Sequence, residues 1–462
     1  MNLVRALLVA LCGWVLNLYF RRIEITGLER VPQTGPVLFI LNHPNGLLDP
    51  VFVLCLSGRR VSFLAKEPLF RMPIVGTFVR AFECLPVYRS QDGKDPANNR
   101  KMIESAVRLL QSGNAIAIFP EGTSHSDPDL RPFRSGAARI ALSASSVELG
   151  ADAPEVSRVR IVPCGLYYSE KTRFRSSALV SFGEPLVVPK VPLDERLEPS
   201  VEAARALTAE LEHELRKVTV HADSVEALGL AQRAERLLRG AASDESGDTE
   251  AHSRPNVEAR RDLRQRLIDG YQALRQTHPA ELDRVIAELE AFETFLDKQG
   301  LRSEQRVVFQ RAELLARALV GGIVGLFLLP LACVGLVCNF ATYRFVSWAS
   351  LRYAKSEEDV ITTGKVLGGL LLYPLTWLIE SGAVWASFGW QAGLVAVLVS
   401  PLAALATLAF IERATRDLTR TLVVAKLLLR PDLKRAIIAR RQRVRGSILS
   451  LAELVSSQPP GT

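Results

Sequence analysis

The 462-residue sequence predicts a layered α/β domain, followed by a helical region and a C-terminal membrane region. Three observations carry this. Short aliphatic runs alternate with helical periodicity over residues 24–190. Charged Ala/Glu/Arg/Leu segments with a 3.6-residue period follow from Leu193, and uncharged apolar stretches gather beyond residue 318.

Taken in order, Arg5 is followed by an apolar run from Leu7 to Leu16 with no small-x-small cleavage site after it, and the segment 3–20 ends at Arg21 and Arg22. About 18 residues is marginal for a full span, so residues 1–22 are expected to form a retained anchor or a docking helix. Strands are expected at Val37–Leu41, Val61–Leu64, Ala115–Phe119, Val159–Cys164 and Ala178–Phe182, and helices at Asn98–Gln111, Ser135–Val147 and from Pro50. The predicted catalytic domain is 23–190. An amphipathic helical region, 191–317, has helices at 197–216, 225–238, 257–276, 279–297 and 302–317 and a polar linker near 241–255.

Within 318–411, the segments 318–340 and 391–411 carry no formal charge and are long enough to cross a bilayer. Pro374 and Glu380 interrupt residues 366–390, so a broken, re-entrant or interfacial element is expected there, with two full crossings in all. Residues 412–445 hold eleven Lys or Arg against three acidic residues, which suits a basic tail, 412–462, on the cytoplasmic face. That placement explains much of the +8 formal charge. No nucleic-acid motif competes for it. The six cysteines form no CxxC pair and read as small buried hydrophobes, and no His/Asp/Cys set has metal-ligand spacing.

Three blocks carry chemistry. Asn42-His43-Pro44-Asn45-Gly46-Leu47-Leu48-Asp49 follows a predicted strand; proline and glycine let the loop fold back, so Asp49 can meet the His43 imidazole and fix its tautomer. The other ring nitrogen is then free to take a proton from an alcohol. No Ser or Cys elbow accompanies the pair, which favours direct attack by a substrate hydroxyl over an acyl-enzyme. Phe119-Pro120-Glu121-Gly122-Thr123-Ser124-His125, followed by Arg131 and Arg134, offers a loop and guanidinium groups for a phosphate. Lys66 and Arg89 bring positive charge to the ends of successive core segments. Each block alone also fits a bland reading: a turn histidine, a surface Pro-Glu-Gly turn, solvated strand ends.

Together, and with Ile161-Val162-Pro163-Cys164-Gly165-Leu166 as a fourth block, they resemble the glycerophospholipid acyltransferase superfamily. The resemblance implies an acyltransferase fold, an acyl-CoA or acyl-carrier-protein donor as cosubstrate without a cofactor, and a glycerol 3-phosphate-like acceptor. It also implies His43 as base, Asp49 as its orienter, Glu121 and Gly122 shaping the acceptor site, and Arg89 with Lys66 on the phosphate. Two departures stand out: five residues separate His43 from Asp49 where the family has four, and Ser124-His125 replaces the Arg after Gly122-Thr123. Both resemble the fungal glycerol-3-phosphate and dihydroxyacetone-phosphate acyltransferase branch. That likeness moves phosphate binding toward Arg131, Arg134 or Arg175 and makes His125 a supporting donor. The leading expectation is glycerol-3-phosphate acylation in phospholipid synthesis. Its rivals are acylation of 1-acylglycerol 3-phosphate to phosphatidate and a non-catalytic lipid-binding scaffold. The expected partner is membrane lipid, at a bacterial inner membrane with the catalytic domain and tail facing the cytoplasm; the oligomeric state stays open.

Overall fold

The computed structural model describes residues 3–72, 75–88, 99–146, 158–245, 257–308, 311–353 and 358–456. The chain divides into two units, Met1–His221 with Tyr353–Val366, and Ala222–Arg352 with Leu367–Thr462.

The first unit is built on one mixed sheet. Its strands are β1 (Arg22–Thr26), β2 (Val37–Leu41), β3 (Val61–Lys66), β4 (Leu85–Val87), β5 (Ala115–Ile118), β6 (Arg160–Tyr168), β7 (Ser177–Phe182) and β8 (Leu186–Val187). They lie in the order β1-β7-β6-β2-β5-β3-β4, with β8 also against β6. Strands β6, β2, β5, β3 and β4 run parallel, whereas β7 and β8 pair with β6 antiparallel. The run Val-Leu-Phe-Ile-Leu of β2 explains its central place. Val37, Phe39 and Leu41 enter one apolar cluster, Leu38 and Ile40 the other, and all five are fully buried. A strand apolar at every position has to be covered on both faces.

Helices α1 (Leu3–Tyr19) and α2 (Leu48–Leu56) supply the first cluster with Leu16, Tyr19, Phe52 and Val53. A short helix, α3 (Val75–Ala81), lies between β3 and β4. The opposite face is covered by α4 (Asn99–Gln111), α5 (Gly136–Ser146) and α6 (Val201–Arg216), the last through Leu207, Leu211 and Leu215. Helix α6 thus belongs to the sheet domain, and the boundary expected at residue 190 moves to His221. Helix α1 docks through Leu16 and Tyr19, while Leu3, Leu7, Leu11 and Trp14 remain exposed along its other side. Its Arg5 is buried and donates to the carbonyl of Val61 at 2.7 Å.

The second unit contains α7 (Val225–Glu245), α8 (Val257–Thr277), α9 (Pro279–Lys298), α10 (Arg311–Tyr353), most of α11 (Glu358–Phe388), α12 (Trp390–Leu429) and α13 (Pro431–Ser456). Three of the sequence expectations are corrected here. The helix expected at 302–317 begins only at Arg311, because tertiary bonds claim the backbone before it. Arg441 donates to the carbonyls of Ser303 and Gln305, and Asp244 accepts from the N–H groups of Val307 and Val308. The described part of 412–462 is helical and packed: α12 continues to Leu429, and α13 buries Ile437 and Val444 in the same cluster as Leu237, Leu289 and Phe292, with Arg441 also buried. The linker expected near 241–255 is helical as far as Glu245; residues 246–256 lie outside the described residues.

Among the described residues, three helices are long and apolar enough to cross a membrane: Gly321–Arg352, Ile361–Phe388 and Trp390–Leu429. The middle one is a single helix through Pro374 rather than a broken element. With three such helices, an even number of crossings no longer follows from the sequence pattern. Thr342 and Thr376 share a hydrogen bond of 2.6 Å, and Trp377 donates to Asn339 at 2.9 Å, tying α10 to α11. Side chains such as Phe327, Val337, Leu378, Phe388 and Leu398 face outward, which is the surface a lipid phase would cover.

Candidate active site

Strand order brings the motifs together. Because β2 pairs with β5 on one side and β6 on the other, the loop after Leu41 emerges beside the loop after Ile118 and alongside the distal half of β6. This is the C-terminal edge of the parallel strands, where α/β domains collect ligands.

The loop between β2 and α2 folds back as the sequence predicted. His43 Nδ1 lies 2.8 Å from Asp49 Oδ2, which also accepts the N–H of Asn45 at 2.7 Å. Asp49 sits in the first turn of α2, where the helix dipole favours a carboxylate. Its side chain has no exposed surface, whereas that of His43 is 14% exposed. The second oxygen of Asp49 accepts the hydroxyl of Tyr168 at 2.5 Å. Burial, then the Asp49 carboxylate, push the Tyr168 phenol well above the usual tyrosine range, so it remains a donor. Asn42 fastens the root of the loop to β6: its side chain donates to Leu166 O at 3.0 Å and accepts from Leu166 N at 2.8 Å.

With Nδ1–H donated to the carboxylate, Nε2 carries the lone pair, and no protein group among the described residues bonds to it. The ring plane is set by Phe119, stacked on the imidazole with centroids 3.8 Å apart and planes 13° from parallel.

Glu121 turns inward. Its side chain is fully buried and binds three N–H groups: that of His43 at 3.2 Å, that of Arg131 at 2.8 Å, and the Nε2–H of His125. His125 Nδ1 in turn accepts the N–H of Asp127 at 3.2 Å, which fixes this ring as the Nε2–H tautomer. The His125 N–H donates to His43 O at 3.1 Å, so the two loops hold each other through backbone and side chain alike. His125 thus supplies a donor to the buried Glu121.

Gly122 has φ +75°, and a Cβ there would meet the guanidinium of Arg134 at 2.8 Å. The turn needs glycine, and the absence of a Cβ leaves room for the arginine laid over it. Arg134 is exposed, its backbone N–H bonds Pro120 O at 2.9 Å, and no described carboxylate pairs with its side chain. Arg131 is paired with Asp127 at 2.6 Å, which draws that carboxyl below its usual range. Thr123 Oγ1 donates to Ser124 O at 3.4 Å; both residues are half-buried, as is Lys66 at the end of β3. Arg175, with φ +63°, donates to Asn17 O at 2.9 Å and Leu18 O at 3.3 Å, capping the C-terminus of α1. Arg89 lies outside the described residues. A cavity of about 650 Å³ elsewhere on the unit is lined by Phe133, Arg139, Glu198, Arg205, Thr208 and Glu212, and includes neither His43 nor Asp49.

The sequence reading missed Tyr168, Phe119 and Asn42 as site residues. Phe119 and Asn42 stood inside the quoted motifs, beside residues assigned roles. For Tyr168 there was no local signal, since it lies 119 residues from Asp49.

Residues 22–167 match the family model described as Acyltransferase. The chain is 25% identical to glycerol-3-phosphate O-acyltransferase 1 of Saccharomyces cerevisiae, over 82% of this chain and 61% of that protein. It is 24% identical to an uncharacterized acyltransferase of Schizosaccharomyces pombe, over 79% of this chain and 66% of that one, so it spans less than two thirds of either relative's length. A solved structure, the 1-acyl-sn-glycerophosphate acyltransferase of Thermotoga maritima, is similar at a TM-score of 0.34 and 19% identity, over 46% of this chain and 79% of that chain.

Proposed function

Because residues 22–167 match the Acyltransferase family model, we propose that the chain is a member of the glycerophospholipid acyltransferase superfamily and transfers a fatty acyl group from a thioester donor to a hydroxyl of glycerol 3-phosphate, with His43 as general base. The observation that carries the proposal is an imidazole held at Nδ1 by the buried Asp49, with Nε2 left for substrate.

The acceptor hydroxyl gives its proton to His43 Nε2 as its oxygen attacks the thioester carbonyl. The tetrahedral oxyanion collapses, the C–S bond breaks, and the leaving thiolate takes the proton back from the imidazolium. Asp49 stabilises that imidazolium and, bonded by Tyr168 and Asn45, keeps the ring in one tautomer. Arg134 is the best placed cation for the acceptor phosphate, with Arg131, Lys66 and Arg89 as further candidates. Glu121 and His125 act as a clamp between loops rather than on the substrate. The choice of glycerol 3-phosphate follows the budding-yeast relative's name and is the finer part of the proposal. The basic residues of 412–445 support a cytoplasmic position for that stretch.

The test supplies membranes holding the wild-type protein with palmitoyl-CoA and either glycerol 3-phosphate or 1-acylglycerol 3-phosphate, and resolves the lipid products. Lysophosphatidate from glycerol 3-phosphate supports the proposal. Phosphatidate formed only from the lysolipid replaces the acceptor, and transfer to neither, with acyl-carrier-protein donors also tried, rejects the activity.

A further inference from the structure

The head of α11 belongs to the unit that holds His43. Three of its side chains bond to loops of that unit, one of them the loop that carries His43. Thr363 Oγ1 accepts the N–H of Leu47, in the His43–Asp49 loop, at 3.2 Å. Thr362 is fully buried; it donates to Lys171 O at 3.1 Å and accepts from the Tyr19 hydroxyl at 3.5 Å. Lys365 donates to Thr172 O at 2.9 Å, and Val366 packs on the apolar cluster beneath the sheet. Lys171 in turn donates to Ser126, in the loop that carries Gly122 and His125.

The catalytic loop has backbone donors to place. The N–H of Asn45 goes to Asp49, that of Leu48 to Asn45 O, and that of His43 to Glu121. Leu47 precedes the first turn of α2, where N–H groups have no intrahelical partner, and its N–H is answered from a helix 316 residues away in sequence. A loop fixed at His43, Asn45 and Asp49 but loose at Leu47 would let the start of α2 fray and carry Asp49 with it.

We propose that Thr363 is a positioning residue: the head of α11 holds the His43–Asp49 loop in its working shape, so that this hydrophobic helix completes the active site as well as engaging the membrane. It follows that the head of α11 lies on the same side of a bilayer as His43. The inference rests on His43 being the base, and its test therefore includes a measurement independent of activity.

The full-length protein in lipid nanodiscs is compared with Thr363→Val, which keeps the β-branched shape and loses the acceptor oxygen, and with Thr363→Ser, which keeps the oxygen. Expected for Thr363→Val is a kcat lower by about tenfold, the scale of one part-buried hydrogen bond, with the KM values for palmitoyl-CoA and glycerol 3-phosphate within about twofold of wild type. Deuterium uptake over residues 42–52 is faster in this variant and unchanged over 201–216, and Thr363→Ser restores both readouts. Unchanged uptake over 42–52 in Thr363→Val overturns the proposal whatever the activity, and so does a Ser variant as impaired as the Val one. Should wild type transfer to neither acceptor, the function proposed above falls and the uptake measurement alone decides for or against Thr363.

Discussion

Replacing Tyr168 with Phe removes one hydroxyl and leaves the ring, which is stacked on Phe20 at 5.6 Å and packed near Phe52 at 5.9 Å. What is lost is the 2.5 Å bond to Asp49 Oδ1, on a carboxylate whose side chain is inaccessible to solvent, so water does not replace the donor. A hydrogen bond to a charged group contributes about 1.5–3 kcal/mol. With about 1.36 kcal/mol per factor of ten, full expression of that loss in the transition state lowers kcat by roughly 10- to 150-fold. Neither substrate touches Tyr168 in the proposed mechanism, so both KM values are expected to stay within about twofold. The assay is steady-state acyl transfer with each substrate varied in turn, beside a melting curve to show that the variant is folded. A folded Tyr168→Phe protein with wild-type kcat would refute the idea that Asp49 needs this third bond to orient His43.

Arg134→Gln is expected to raise the acceptor KM several-fold to about tenfold, since an exposed guanidinium on a phosphate gives less than a buried one, and to leave the KM for the acyl donor unchanged. Equal KM values in wild type and variant would remove Arg134 from the phosphate site. Glu121→Gln turns an amide N–H toward a pocket of N–H donors and strips the carboxylate from His125. An unanswered buried donor costs about 1–3 kcal/mol, and each kcal/mol is about 2–4 °C in a domain of this size, so a fall in melting temperature of roughly 2–12 °C is expected along with the loss of activity. A Glu121→Gln protein that is inactive at unchanged stability would instead place Glu121 in the chemistry. Burial pushes the Cys55 thiol up to about 12 and Cys84 to about 11, and Cys164 is raised further still, with the Asp49 charge adding to its burial. Maleimide at pH 7 is therefore expected to leave these three unmodified and activity intact; inactivation traced to any of them would reopen a thiol nucleophile.

Much of the first unit was legible because its signals are local. The apolar run Val37–Leu41 forces a central strand, and the two motifs, each directly after such a strand, had to meet once β2 and β5 paired. His43 with Asp49 was readable because six positions span one turned loop. What the sequence hid was long-range. Tyr168 reaches Asp49 across 119 residues and Thr363 reaches Leu47 across 316, and neither has a neighbour that marks it. Arg175 shows the same limit: its place near the motifs suggests phosphate, and nothing local marks the carbonyls at the end of α1 to which it donates in the folded chain. Residues 302–308 have helical periodicity, yet Arg441 and Asp244 outcompete the helix for their backbone groups. Pro374 and Glu380 suggest an interruption of the apolar segment 366–390, yet the folded chain accommodates both within α11, the middle of the three apolar helices.

The central claim is that His43 Nε2 removes the acceptor proton, and its most direct test is the kcat of His43→Ala beside wild type, in membranes at matched protein amounts, with palmitoyl-CoA and glycerol 3-phosphate. General-base catalysis contributes about 10²- to 10⁴-fold, so kcat is expected to fall by at least about a hundredfold, with lysophosphatidate as the product that disappears. A His43→Ala protein that still makes lysophosphatidate at the wild-type rate would contradict the account.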